Sequence, residues 1–162
     1  MRVWLVNTWE MLPIEGESVR PKRAGLLAQA LHERGHDVTW WTSSFSHEKK
    51  RMRLDPGRPF TSPLGYRIGP IPALGYRQNV SIARLLDHRY VAKRMTRIWV
   101  REPEKPDVIV SSYPPIDAAH AAITYGVRNK IPTILDVRDQ WPDSFYDVLP
   151  PAFNWVGRFA AW

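Results

Sequence analysis

Two charged residues, Arg138 and Asp139, directly follow a short apolar segment near the end of the chain. That segment, residues 133–137, is rich in β-branched side chains and is predicted to be a buried strand. In parallel α/β sheets, ligands bind just beyond the carboxyl ends of strands. There a carboxylate can orient a hydroxyl group or accept its proton, and a guanidinium can bind a diphosphate. In the alternative interpretation, Arg138 pairs with Asp136 or Asp143 and only shapes a turn.

Two other groups of polar residues follow predicted strands. His47 ends the loop after the second strand, and an imidazole with an unperturbed pKa of about 6.5 suits proton transfer near neutral pH. Ser111, Ser112 and Tyr113 end the strand predicted at 107–111, where hydroxyl groups can hydrogen-bond to a sugar or a phosphate. The serines could equally cap the helix that follows.

Segments with the composition of strands alternate with segments of helical periodicity. The predicted strands are residues 3–7, 38–42, 107–111 and 133–137, with a further short strand at 66–71, and the predicted helices are residues 24–31, 81–100 and 117–127. Strand–helix–strand units of this kind place parallel strands side by side through right-handed crossovers. The sequence therefore predicts one α/β domain with a doubly wound parallel sheet.

Composition excludes several classes of protein. The 162 residues suffice for one domain with a substantial core, and there is no cysteine for a disulfide framework or thiolate chemistry. No apolar run approaches the roughly 18 residues of a membrane span. The chain enters a strand pattern at Met1 without the apolar region of a signal peptide, so we expect a cytoplasmic location.

Positive charge is concentrated in the first part of the chain. Residues 1–100 hold 17 Lys+Arg against 8 Asp+Glu, which suggests a polyanionic partner. The helix predicted at 81–100 is basic and amphipathic, so it could lie on an anionic membrane surface or pack its apolar face on its own sheet. Nucleic acid is a weaker candidate, because no groove-reading motif is present.

Motifs for cofactors and metals are absent from the sequence. There is no Walker loop and no GxGxxG, and the histidines lack metal-ligand spacing. Gly16 alone marks the loop between the first strand and helix, and Glu15 and Glu17 beside it would repel a phosphate. We therefore expect neither a cofactor nor a metal.

Three stretches resemble the N-terminal domain of family-four glycosyltransferases of the GT-B fold, and in particular the WbuB-like enzymes of surface-polysaccharide assembly. They are Arg34–His47 (RGHDVTWWTSSFSH), Pro106–Pro115 (PDVIVSSYPP) and Asp136–Asp143 (DVRDQWPD). The similarity covers nearly the whole chain in order and spacing. It implies a Rossmann-like domain and a retaining transfer of sugar from a nucleotide-sugar to an acceptor, often a polyprenyl-diphosphate-linked glycan at the inner face of the plasma membrane.

The resemblance also gives the domain a role, to which the candidate residues can be related. It implies that this domain holds the acceptor, and Gly16 is all that remains here of the family's glycine-rich loop. From their positions after predicted strands and from their chemistry, we expect Asp139 or His47 to be the base and Arg138, Ser111, Ser112 and Tyr113 to contact the acceptor, with a further contact at Gly16. The resemblance also implies that the nucleotide-sugar is bound mainly by a C-terminal domain, to which no part of residues 1–162 corresponds. We therefore expect a fragment, a truncated product or half of a split enzyme, inactive alone. The alternative is a non-catalytic, membrane-associated subunit that recruits a separate donor-binding chain.

Overall fold

The computed structural model describes residues 1–16, 19–57 and 59–138, which form eight strands and three α-helices. The strands are β1 (Arg2–Val6), β2 (Asp37–Ser43), β3 (Phe45–Ser46), β4 (Arg51–Met52), β5 (Phe60–Thr61), β6 (Arg67–Ile71), β7 (Val108–Tyr113) and β8 (Thr133–Val137). The helices are α1 (Arg23–Glu33), α2 (Ile82–Arg101) and α3 (Ile116–Asn129).

Six strands form one sheet in the order β5-β6-β2-β1-β7-β8. All neighbours in this sheet are parallel except β5, which pairs antiparallel with β6. The chain runs outward from β1 through β2 to β6 and then returns to the other side of β1 with β7, so the strand order reverses beside β1. This arrangement confirms the predicted doubly wound, Rossmann-like parallel sheet.

Alternation along β1 divides the core into two layers. Val3 and Leu5 join the cluster beneath α1, whereas Trp4 and Val6 join the cluster beneath α2 and α3. Successive side chains of a strand point to opposite faces, so a central strand covered on both sides must be apolar throughout. The helices therefore flank the sheet on both faces.

Helix α2 packs only part of its length against the sheet. Ser81 caps the helix by accepting a hydrogen bond from the Arg84 backbone N–H at 3.2 Å. Val91, Met95 and Trp99 are buried in the core, which confirms that the apolar face of this part of the helix packs on its own sheet. The large apolar residues of the first turns are exposed instead.

Strand β8 is present as predicted, but the prediction that it is buried is wrong. Ile134 is 56% exposed and Val137 54% exposed. Within the described residues, β8 pairs with β7 alone and forms an edge of the sheet, so its side chains are covered less than those of the central strands. An apolar, β-branched composition indicated a strand but not its place in the sheet.

Candidate functional site

Loops that follow five parallel strands meet at the carboxyl edge of the sheet around an open cleft of about 580 Å³. The residues that line it are Trp9, Glu10, Lys22, His47, Glu48, Lys50, Asn79, Pro114 and Arg138. The cleft lies where the strand order reverses between β1 and β7, the position at which open α/β sheets bind their ligands. Aromatic, cationic and acidic groups are therefore brought together from distant parts of the chain.

Glu10 forms the base of the cleft and is only 5% exposed. Its carboxylate accepts hydrogen bonds from the backbone N–H groups of Gly25 at 2.9 Å and Ala24 at 3.1 Å, in the first turn of α1. In nucleotide-binding α/β domains, a phosphate occupies this helix N-terminus. Here the chain supplies its own anion at that position, in a domain that also lacks the glycine-rich loop.

The Asn7 side chain stabilises the turn that brings Glu10 to this position. The Asn7 side-chain oxygen accepts hydrogen bonds from the backbone N–H groups of Trp9 at 3.2 Å and Glu10 at 3.0 Å, which folds the chain into a turn directly after β1. The Asn7 amide also donates to the Ser112 hydroxyl at 3.2 Å and so links the ends of β1 and β7.

Arg138 reaches the cleft from the end of β8. One of its guanidinium nitrogens lies 3.6 Å from the Glu10 carboxylate. The sequence left open a pairing with Asp136, but Asp136 pairs with Arg23 at 2.9 Å instead. Arg138 is therefore held against the buried carboxylate at the cleft base, while part of its side chain remains exposed.

A second ion pair, between Arg53 and Glu15, holds the segment that follows β1. Arg53 contacts the Glu15 carboxylate at 2.9 Å and donates to the Glu10 carbonyl at 2.8 Å and to the Thr42 hydroxyl at 2.6 Å. Its side chain is only 3% exposed. Arg53 ends the basic run 49–53, yet this side chain is buried and fastens the loops that carry the cleft.

His47 stands at the rim of the cleft in an aromatic and cationic setting. Its ring stacks on Trp9 with 4.8 Å between centroids, and its Nδ1 shares a short hydrogen bond with the Tyr76 hydroxyl. Burial, followed by the positive charges of Lys50 and Arg84, lowers the pKa of His47 to about 4. His47 is therefore neutral near neutral pH.

The hydrogen-bond partners of His47 favour one tautomer. Burial raises the pKa of Tyr76 to about 12, so the phenol keeps its proton and is able to donate a hydrogen bond to Nδ1. Lys50 Nζ, which carries only donors, is 3.5 Å from the same nitrogen. Nδ1 is thus the acceptor and Nε2 carries the hydrogen. This geometry favours hydrogen-bond donation by His47 to a ligand; its role as a base stays a prediction.

The other predicted site residues lie at different depths. Ser111 is fully buried in β7, and Ser112 is nearly so, with its hydroxyl accepting from Asn7. Tyr113 is half-buried at the end of β7, and its carbonyl accepts from the Arg138 backbone N–H at 2.9 Å. Gly16 is exposed after the short helical turn Pro13–Glu15. These four are not among the cleft-lining residues of the described structure, and their acceptor contacts stay predictions.

Asp139 lies outside the described residues, as does Asp143, so the structure says nothing of either carboxylate. Sequence reasoning missed Glu10, Trp9 and Tyr76. A signal existed for the first two, since they follow directly on the first strand, where the carboxyl edge of the sheet must lie. Tyr76 carried no comparable signal because it comes from the irregular segment before α2.

The described residues contain neither a candidate metal site nor a candidate membrane span. No group of three His, Asp or Glu side chains is arranged to hold a metal ion in residues 1–16, 19–57 and 59–138. Over the same part of the chain, no helix has the length and apolar character needed to cross a membrane.

Comparison with known proteins places the chain in a family. The family model of the glycosyl transferase 4-like domain matches residues 21–162. Among solved structures, the C-terminal domain of a hydrogenase from Pyrococcus furiosus is similar, with 15% identity and a TM-score of 0.49 over 83% of this chain and 90% of that chain. No curated protein matches the sequence. Because the family match extends over most of the chain and includes α1, α2, α3 and every strand after β1, the protein belongs to the glycosyl transferase 4-like domain family.

Proposed function

We propose that this domain binds the acceptor in a sugar transfer from a nucleotide-sugar. The observation that carries the proposal is the occupation of the α1 N-terminus by the Glu10 carboxylate. A nucleotide diphosphate that binds at a helix N-terminus needs those backbone N–H groups, and here they are already paired. The open cleft beside them, lined by Lys22, Lys50 and Arg138, is better suited to a different anionic ligand.

The finer proposal is a retaining transfer to a lipid-linked glycan, as in WbuB-like enzymes, with the nucleotide-sugar held by a donor-binding domain that faces this cleft. In the reaction, an acceptor hydroxyl oxygen bonds to the anomeric carbon of the donor sugar. The bond from that carbon to the nucleoside diphosphate breaks, the diphosphate departs with the bonding electrons, and the hydroxyl proton passes to a base or to the departing oxygen.

The cleft residues have distinct tasks in this proposal. Arg138 and Lys50 bind the diphosphate that links the acceptor glycan to its lipid, since both carry donors that suit phosphate oxygens. The Nε2–H of His47 donates to the acceptor and orients it. Asp139, which follows Arg138 directly, remains the predicted proton acceptor.

Titration calorimetry with a soluble acceptor mimic tests the assignment. We expect the 162-residue chain to bind geranyl diphosphate and to bind UDP and GDP more weakly. Replacing Arg138 with Gln should weaken geranyl diphosphate binding about tenfold or more, because a charge-assisted hydrogen bond contributes roughly 1.5–3 kcal/mol and 1.4 kcal/mol is a factor of ten.

Arg128→Gln is the matched control, since Arg128 is exposed in the last turn of α3 and the substitution removes the same charge. It should leave binding unchanged. Tighter binding of UDP or GDP than of geranyl diphosphate would contradict the acceptor assignment, as would equal losses in the two Arg→Gln variants.

A further inference from the structure

Five large apolar side chains are exposed in the segment that leads from β6 into α2, with exposures from 54% to 90%. They are Leu74, Val80, Ile82, Leu85 and Leu86, and we name them the α2 apolar patch. Single exposed apolar residues are ordinary on a protein surface, but several in one short segment indicate an interaction site. The patch is thus a candidate interaction surface.

Hydrogen bonds hold the patch in a defined shape. The Asp87 carboxylate accepts from the backbone N–H groups of Leu74 and Gly75, both at 2.8 Å, and ties the loop to α2. The Ser81 hydroxyl donates to the Gln78 carbonyl at 3.0 Å while it caps the helix. The apolar side chains are therefore presented by a fixed scaffold.

The exposed charged residues in the segment that carries the patch are all basic. Residues 72–101 contain seven Lys+Arg and one acidic residue, Asp87, which is buried. Along the exposed face of α2, Ile82 and Leu86 are followed at helical spacing by Arg89 and Lys93, both exposed. An apolar tip followed by a cationic band matches the arrangement of groups in a lipid surface, with acyl chains below anionic headgroups.

We propose that the α2 apolar patch is a membrane-docking surface. Its side chains insert among the upper acyl chains of a bilayer, and Arg89, Lys93 and Arg97 contact anionic headgroups. We favour a lipid surface over a protein partner because the apolar tip and the cationic band succeed each other along one helix, so that they reach different depths of a bilayer at the same time.

The patch lies next to the cleft, so docking would also affect the cleft. Val80 is adjacent in sequence to Asn79, which lines the cleft and accepts a hydrogen bond from Lys50 Nζ. Docking would bring this rim of the cleft to the membrane surface. The inference goes beyond the acceptor assignment and does not depend on it, because lipid binding requires no occupied cleft.

Vesicle flotation tests the proposal. We expect the chain to float with vesicles of phosphatidylcholine and phosphatidylglycerol in equal parts and to float less with phosphatidylcholine alone. Part of the binding should survive high salt, because insertion of apolar groups is not screened. The double variant Leu85→Ser/Leu86→Ser should bind mixed vesicles about tenfold less or weaker still, since burial of each leucine contributes roughly 1.5–3 kcal/mol when complete.

The control variant, Leu26→Ser/Val127→Ser, removes two exposed apolar side chains from α1 and α3 and should float like the original chain. Three results would overturn the proposal. The first is that the chain floats with neither kind of vesicle, and the second is that the Leu85→Ser/Leu86→Ser variant floats as well as the original chain. The third is complete loss of binding at high salt, which would mean that charge is the sole attraction. These vesicles contain no acceptor, so failure here and failure of acceptor binding are separate results.

Discussion

The base of the cleft and the α2 apolar patch both depart from the usual distribution of residues, the first by burying charged side chains and the second by exposing apolar ones. At the cleft base and in the neighbouring ion pair, Glu10, Glu15 and Arg53 place charges in the interior. At the patch, leucine, isoleucine and valine side chains face solvent. Both regions belong to loops and helix ends around one edge of the sheet, yet only the first has its groups satisfied within the described structure.

The two regions differ in whether their unusually placed side chains are compensated by contacts within the described structure. Each buried charge in the first region has hydrogen-bond donors or an opposite charge beside it, so its burial is compensated. The exposed apolar groups have no such compensation in the described residues, and a partner is the physical explanation. Four predictions test the comparison, beginning with the largest expected effect.

Replacing Arg53 with Met should destabilise the domain by about 3–5 kcal/mol, because Glu15 and the Glu10 carbonyl would lose their buried cationic partner. Urea unfolding monitored by tryptophan fluorescence measures the free energy of unfolding. Arg51→Met is the matched control, since Arg51 is exposed two residues away, and it should change that free energy by no more than about 0.5 kcal/mol. Equal effects of the two substitutions would contradict the structural role that we assign to Arg53.

Replacing Glu10 with Gln should destabilise the domain by roughly 1.5–3 kcal/mol. Glutamine has nearly the same shape as glutamate, but it would offer the first-turn N–H groups of α1 a neutral acceptor in place of a charged one. The same urea experiment applies, with Glu33→Gln at the exposed end of α1 as the control. Unchanged stability of the Glu10 variant would mean that its carboxylate contributes no more than a neutral amide.

His47 should titrate with a midpoint of about 4 in an NMR pH series and should carry its hydrogen on Nε2. Lys50→Gln should raise that midpoint, though not fully to 6.5, since burial is the larger cause. The unfolded chain binds more protons between pH 6.5 and 4, so the contribution of His47 to stability is complete above pH 6.5 and is lost as the pH falls through that window. A midpoint near 6.5 in the original chain would refute this description of the site.

Replacing Leu85 with Ser should have the smallest effect, with the free energy of unfolding changed by about 0.5 kcal/mol or less, because the side chain is already exposed. Met95→Ala, on the buried face of the same helix, should cost about 2–5 kcal/mol. A large loss of stability in the Leu85 variant would show that the patch packs against part of this chain.

Much of the fold could be predicted from residue patterns alone. The parallel strands β1, β2, β7 and β8 and the helix α2 were expected within one or two residues of their observed ends. Ser81 is both the predicted start and the observed cap of α2. These elements are encoded locally, by apolar periodicity and by capping and breaking residues. The family resemblance likewise depended on local motifs, and the family match agrees with its coarser part.

What residue patterns could not determine is where each charge and each apolar group would lie. Arg53 and Lys49 belong to one basic run, yet the first is buried in a network and the second is exposed. Leu85 and Met95 belong to one amphipathic helix, yet only the second reaches the core. Such outcomes depend on contacts between segments far apart in the chain, as when Glu10 reaches the first turn of α1 and Tyr76 reaches His47. Local sequence sets the secondary structure, whereas the environment of a side chain is decided by the neighbours that the tertiary structure places around it.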